Sequence, residues 1–121
     1  MIIPTVQEYK EVIPRLNKRQ RDVLIALYEC PNATSTTQDL AKKMFPSNPR
    51  IFSVNGLIGR TGKHISDLCG IVPEKRKAGV KRVTYIPLVS QFYQTNIGWR
   101  MHKNLQTALE QLGYVNKTKF D

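Results

Sequence analysis

Between residues 53 and 70 apolar side chains recur every three or four positions. At ~100° per residue, Val54, Leu57, Ile58, Thr61, Ile65, Leu68 and Cys69 fall within one arc of roughly 120°. That spacing predicts the longest helix of the chain. It ends near Gly70 and begins either at Asn48-Pro49, with proline in the first turn, or later at Ser53. Upstream, Val23, Leu24, Leu27 and Tyr28 keep helical spacing within KRQRDVLIALYEC, with Asn17 as the cap and Pro31 as the stop. Thr36 followed by Asp39 resembles a capping box with Asp in place of Glu. It opens a helix TQDLAKKMF that turns Leu40, Ala41 and Met44 inward and is broken by FPSNPR. VQEYKEVIP, residues 6–14, predicts a short amphipathic turn or helix stopped by Pro14, and residues 33–35 predict a very short strand.

After Gly70 the pattern changes. IVPEKRK and VKRVTYIPL are β-like runs joined at Ala78-Gly79, which predicts a hairpin with a basic tip. Residues 90–97 read as a connector. GWRMHKNLQTALEQL, residues 98–112, predicts a last amphipathic helix with Met101, Leu105, Ala108, Leu109 and Leu112 on one side. Gly113 is its stop. Trp99 and His102 flank that apolar side. Trp99 reads as core or as an interface anchor, and His102 as a partly buried polar residue rather than a ligand.

Charge then changes the picture. Nineteen Lys and Arg against nine Asp and Glu give a formal net charge of +10. Residues 42–82 hold Lys42, Lys43, Arg50, Arg60, Lys63, Lys75, Arg76, Lys77, Lys81 and Arg82, opposed only by Asp67 and Glu74. A basic middle of this kind favours polyanions, nucleic acid first. Cys30 and Cys69 lie on apolar stretches and read as buried free thiols of a reducing compartment. Their spacing with His64 and His102 matches no zinc pattern, and no metal or cofactor is expected. No run of apolar residues reaches spanning length and MIIPTVQEY lacks a leader pattern, so a cytoplasmic location is expected, with no membrane partner. The length fits one domain over 1–121: a core at 17–88, an N-terminal extension at 1–16 and a C-terminal helix at 98–113.

The stretch NGLIGRTGKH invites comparison with a phosphate-binding loop. That signature needs glycine five positions before Gly62, where Leu57 stands, and a hydroxyl where His64 stands, so the reading is rejected. On a helical wheel Gly56, Gly59 and Gly62 fall away from the apolar arc, among Asn55, Arg60, Lys63 and Ser66. Each helical glycine costs about 1 kcal/mol relative to alanine, so three imply that something comes close. A phosphodiester backbone or base edges would suit, and so would another helix or a second subunit. The first choice makes Asn55, Gly56, Gly59 and Arg60 candidate base contacts. Lys63 and Ser66 become candidate phosphate contacts.

The order of helix, short strand, helix, helix and basic hairpin resembles a winged helix-turn-helix domain. LNKRQRDVLIALYECPNATSTTQDLAKKM is similar to the first two helices of many bacterial members. VNGLIGRTGKHISDL followed by GWRMHKNLQTALEQLGYV resembles winged-helix modules attached to some restriction endonucleases. The resemblance implies a mainly α fold with a β-hairpin and extra helices at both ends. It implies a third helix in the major groove, a wing on the flanking backbone, and a homodimer through the terminal helices. Lys75, Arg76, Lys77, Lys81 and Arg82 would be the wing's phosphate contacts. Pro46 and Pro49 make the turn before the third helix longer than the family's usual one.

The expected function is therefore non-catalytic binding of double-stranded DNA by a bacterial or phage transcriptional regulator. The alternative is a protein-interaction module or inhibitor acting on a nucleic-acid-processing partner through the glycine face. A nuclease would need more than Asp67 and Glu74, since Arg76 stands where a metal-nuclease pattern wants Lys, and no other catalytic arrangement stands out. Aromatics suited to stacking on RNA bases are sparse in the basic segment.

Overall fold

The computed structural model describes residues 3–48, 51–72, 74–75, 82–93 and 97–116, with the backbone alone at 51, 52, 74, 75, 82 and 93. The fold is mainly helical with a small antiparallel sheet. Helix α1 (Val6–Val12) is opened by Thr5, whose side chain accepts from Glu8 N while Glu8 Oε1 accepts from Thr5 N at 2.9 Å. It runs into a 3-10 turn, Ile13–Arg15, that contains Pro14. Helix α2 (Lys18–Tyr28) has the reciprocal box of Asn17 and Gln20 at its start. Strand β1 (Thr34–Thr36) leads into α3 (Thr37–Met44), where the Thr36 hydroxyl accepts from Asp39 N at 3.1 Å. Helix α4 (Ile51–Cys69) is the longest. Each N-terminal cap satisfies amide donors that the first helical turn leaves without partners.

Two strand pairs follow. β2 (Glu74–Lys75) and β3 (Arg82–Val83) pair with each other alone, Glu74 with Val83 and Lys75 with Arg82. β4 (Val89–Tyr93) and β5 (Ile97–Met101) form an antiparallel hairpin, and β1 pairs with the other edge of β5 to give the order β1-β5-β4. Helix α5 (Lys103–Leu112) closes the chain and ends at Gly113, whose φ of 81° is left-handed.

Two expectations change here. The basic hairpin does not belong to the three-stranded sheet. Of residues 90–97, read as a connector, 90–93 belong to β4 and Ile97 opens β5, and the last helix begins at Lys103 rather than Gly98. The reason is visible at one cross-strand pair. Phe92 lies opposite Gly98, and its ring fills the space where a Cβ on Gly98 would stand, 2.1 Å from the nearest ring atom. The glycine at the head of the expected helix is a seat for an aromatic ring on an extended strand.

The core lies between the helices and the inner face of the sheet. Tyr9, Ile13, Leu24, Leu27, Leu40, Ile58, Ile65, Leu88, Leu105 and Leu109 are fully buried, and Trp99 joins them from β5. Tyr85 meets the Trp99 ring edge-on at 5.2 Å between centroids. α1 packs on both α4 and α5, and α2 on α3 and α4. The apolar sides of the terminal helices, Tyr9 and Val12 on one and Leu105, Ala108 and Leu109 on the other, are thus covered within one chain. The expected dimer therefore gains no exposed apolar face from them. No described helix is long and apolar enough to cross a membrane.

Tyr9 ties the N-terminal helix to the loop before β4, donating its hydroxyl proton to the Pro87 carbonyl. Burial pushes its pKa well above the ordinary 10.0, with the negative charges of Cys69 and Glu8 acting in the same direction. Cys69 is raised above 9.0 by burial, then by Glu8 and Glu11. Both groups are favoured in their neutral form by the fold, so the stability they confer is present below these ordinary values. It is lost as pH rises past them, because the unfolded chain releases its protons first. Denaturant unfolding from pH 7 to 11 is expected to show a loss of stability beginning near pH 9. Tyr9→Phe should flatten the slope above pH 10 while lowering neutral stability by about 1–3 kcal/mol through the unpaired Pro87 carbonyl.

Candidate nucleic-acid interface

Helix α4 carries most of the candidate residues, so its surroundings decide what they do. Val54, Leu57, Ile58, Thr61 and Ile65 are buried, as the apolar arc predicts. Gly62 and Ser66 are buried too, which widens the covered part of the helix to about 180° at ~100° per residue. The cover is the chain's own backbone. A Cβ on Gly62 would stand 2.0 Å from the Thr84 carbonyl oxygen, and one on Gly59 would stand 3.3 Å from the Thr84 hydroxyl. The glycines do mark a close approach, but the approaching group is the segment after β3 and not a ligand.

Ser66 must therefore be withdrawn as a phosphate contact. It is 0% exposed and donates its proton to the Gly62 carbonyl at 2.9 Å. Thr61 does the same to Leu57 at 2.7 Å, the usual way a helix satisfies a buried hydroxyl. Gly59 is half-buried beneath Thr84, which withdraws it as an open approach to base edges. The smooth glycine face proposed for a protein partner loses its basis for the same reason.

What remains outward is a row of four. Gly56, Arg60, Lys63 and Asp67 fall within about 60° of one another at ~100° per residue, and the last three are exposed. The Arg60 guanidinium folds back over Gly56, with Nη1 3.0 Å from where a Cβ would be. Lys63 Nζ lies 2.9 Å from Asp67 Oδ2, an exposed pair one turn apart with side-chain exposures of 63% and 58%. Such a pair contributes only about 0.3–0.5 kcal/mol, so it yields readily to a phosphate. Asn55 sits to one side of this row, half-buried, against the Thr37 hydroxyl at 3.1 Å.

The basic hairpin is rooted beside α4, because Thr84 follows β3 directly and rests on Gly59 and Gly62. Lys75 and Arg82 are paired in the backbone register of β2 and β3. Arg76, Lys77 and Lys81 lie outside the described residues. Elsewhere, Arg100 is exposed on β5 with its guanidinium carbon 6.0 Å from the centre of the Phe92 ring.

Among the described residues no cluster of three or more His, Cys, Asp and Glu side chains that could hold a metal ion forms. His64 Nδ1 is 2.9 Å from Gln20 Oε1, which also accepts from Asn17 N, so the imidazole stitches α4 to α2. His102 Nε2 meets the Ile86 carbonyl at 2.5 Å. Both thiols are unpaired and half-buried rather than fully buried. An open cleft of about 350 Å³ is lined by Arg19, Phe45, Pro46, Ser47 and Asn48, which supply one cation and no acid–base pair. The His64 and Thr37 contacts were not foreseen, because residues 44 and 18 positions apart leave no local pattern.

Comparison with known proteins finds no family model, no curated protein and no solved structure that matches this chain.

The two kinds of glycine separate experimentally. Gly62→Ala is expected to lower unfolding free energy by about 1–3 kcal/mol, since main chain must move to admit the methyl group. Gly56→Ala meets only the flexible end of Arg60 and is expected to raise stability by about 0.5–1 kcal/mol through helix propensity. Urea melts of both variants check the contrast.

Proposed function

We propose that this protein binds double-stranded DNA without catalysis, as a bacterial or phage transcriptional regulator of the winged-helix kind. The observation that carries the reading is the exposed row on α4. A 19-residue helix held on about half its circumference presents Arg60 and Lys63 to solvent in a chain of net charge +10.

Topology supports it. The elements α2, β1, α3, α4, β4 and β5 follow the order of a winged helix, with β1 and β4 on either side of β5. In that arrangement α4 enters the major groove and β4–β5 is the wing. The basic hairpin β2–β3 is then an insertion between them. Lys75, Arg76, Lys77, Lys81 and Arg82 act as an added arm on the phosphate backbone. Arg60 reads guanine through its bidentate fork, Asn55 reads adenine, and Lys63 releases Asp67 to take a phosphate. The glycine flank takes no part, and the reading rests on charge, topology and the row of exposed cations.

Titration of duplex DNA, single strands and structured RNA across salt concentrations tests it. Duplex affinity should fall steeply with salt, and replacing Lys75, Arg76 and Lys77 together by Ala should reduce the log–log slope by about 3. Arg60→Ala should relax sequence preference at one position by about 1–3 kcal/mol. Asp67→Asn, which frees Lys63, should tighten binding a few-fold at low salt. Absence of duplex binding at low salt, or tighter binding to structured RNA than to duplex, overturns the proposal.

A further inference from the structure

Thr37 is the first residue of α3 and only 2% exposed. Its hydroxyl joins three elements. Trp99 Nε1 on β5 lies 3.2 Å away, the Ile97 carbonyl oxygen 3.2 Å away, and Asn55 Oδ1 on α4 3.1 Å away. The indole is a donor only and the main-chain carbonyl an acceptor only, while the hydroxyl has one proton and two lone pairs. Trp99 takes one lone pair. As placed, with the carboxamide oxygen also inward, one proton faces two acceptors. If the carboxamide turns its nitrogen inward, Thr37 accepts from Trp99 and Asn55 and donates to Ile97, and every group is satisfied. The two orientations differ by a half-turn of the amide that moves no heavy-atom position.

We propose that Thr37 is a positioning residue that holds the Asn55 carboxamide with Nδ2 inward and Oδ1 outward, making Asn55 selective for adenine. The proposal rests on the DNA-binding reading above and adds the residue that sets its specificity. The inward proton of Nδ2 is the one trans to Oδ1. The other proton stays beside Oδ1, and together they form the donor–acceptor pair that matches N7 and the N6 amino group of adenine. With the oxygen inward the outward edge would be two donors, which suit the acceptors of guanine or thymine instead. Thr37 thereby decides which base Asn55 fits without touching DNA.

Two measurements test this on the whole chain. In the free protein, nitrogen-15 spectra should show one Asn55 side-chain amide proton exchanging slowly with solvent, protected in the parent and in Thr37→Ser and exposed in Thr37→Val. Two freely exchanging protons in the parent overturn the proposed orientation whether or not DNA binds. In selection from randomised duplexes, the parent should prefer adenine by roughly tenfold at one position, since a good bidentate pair is worth about 1–3 kcal/mol. Asn55→Ala should lose that preference, Thr37→Ser should keep it, and Thr37→Val should lose it at that position alone with the salt slope unchanged. Adenine selection that survives in Asn55→Ala or in folded Thr37→Val overturns the positioning role, as does an Asn55-dependent choice of guanine or thymine. A parent with one protected amide proton that binds no duplex overturns the DNA reading and the base choice, while leaving the Thr37–Asn55 geometry in place.

Discussion

The contact between Gly62 and the Thr84 main chain sets the arrangement of the rest. No side chain fits between them, so α4 meets the segment after β3 backbone to helix. From there the chain can only run along α4 into the turn at 85–88. The Tyr85 carbonyl accepts there from Leu88 N and Val89 N at 2.9 and 3.1 Å. That turn is gripped from outside by Tyr9, which donates to Pro87, and by His102, which contacts Ile86 through its ring and Leu88 through its amide. The start of β4, and with it the sheet, follows from where this turn is held.

The layers are then joined by a few polar links, most of them partly buried. Gln20 and His64 connect α2 to α4. Thr37 connects α3, α4 and β5. Tyr28 donates to Glu110 at 2.6 Å and so connects α2 to α5. Among the described residues no buried side-chain polar atom lacks a partner. Apolar burial alone would tolerate some rotation of a helix about its axis, whereas hydrogen bonds at fixed positions do not. Helix α4 is fixed by such bonds at His64 on one side and at Asn55 on the opposite side, where Thr84 also rests on Gly59 and Gly62, and the row of Gly56, Arg60, Lys63 and Asp67 lies between them.

The electrostatics follow from scarcity of acid. The described ion pairs Lys18–Asp22, Lys43–Glu29 and Lys63–Asp67 all lie at the surface, where each is weak and screened by salt. They blunt the positive field locally without cancelling a net charge of +10. A polyanion arriving at this surface competes with single, exposed carboxylates rather than with a buried network. The cost of exchanging partners is correspondingly small.

The helices were legible in the chain because their signals are local. Asn17 with Gln20, Thr36 with Asp39, the period of Val54 to Ile65 and the stop at Gly113 each lie within a turn or two of the structure they specify. Two of the three glycines of α4, Gly59 and Gly62, mark a close approach, as the cost of glycine in a helix suggests, while Gly56 meets only the end of Arg60. What approaches them was not legible, because Thr84 is 22 residues beyond Gly62 and backbone packing has no hydrophobic signature. Gly98, read as the first residue of the last helix, is instead the seat of Phe92 across a strand pair, and Ser66, read as a surface hydroxyl, is closed inside. The sequence by itself determined helix positions, caps and the excess of positive charge, all properties of neighbouring residues. Tertiary structure alone decided which glycines are covered, which hairpin joins the sheet and which face of α4 is free, because those depend on groups brought together across tens of residues.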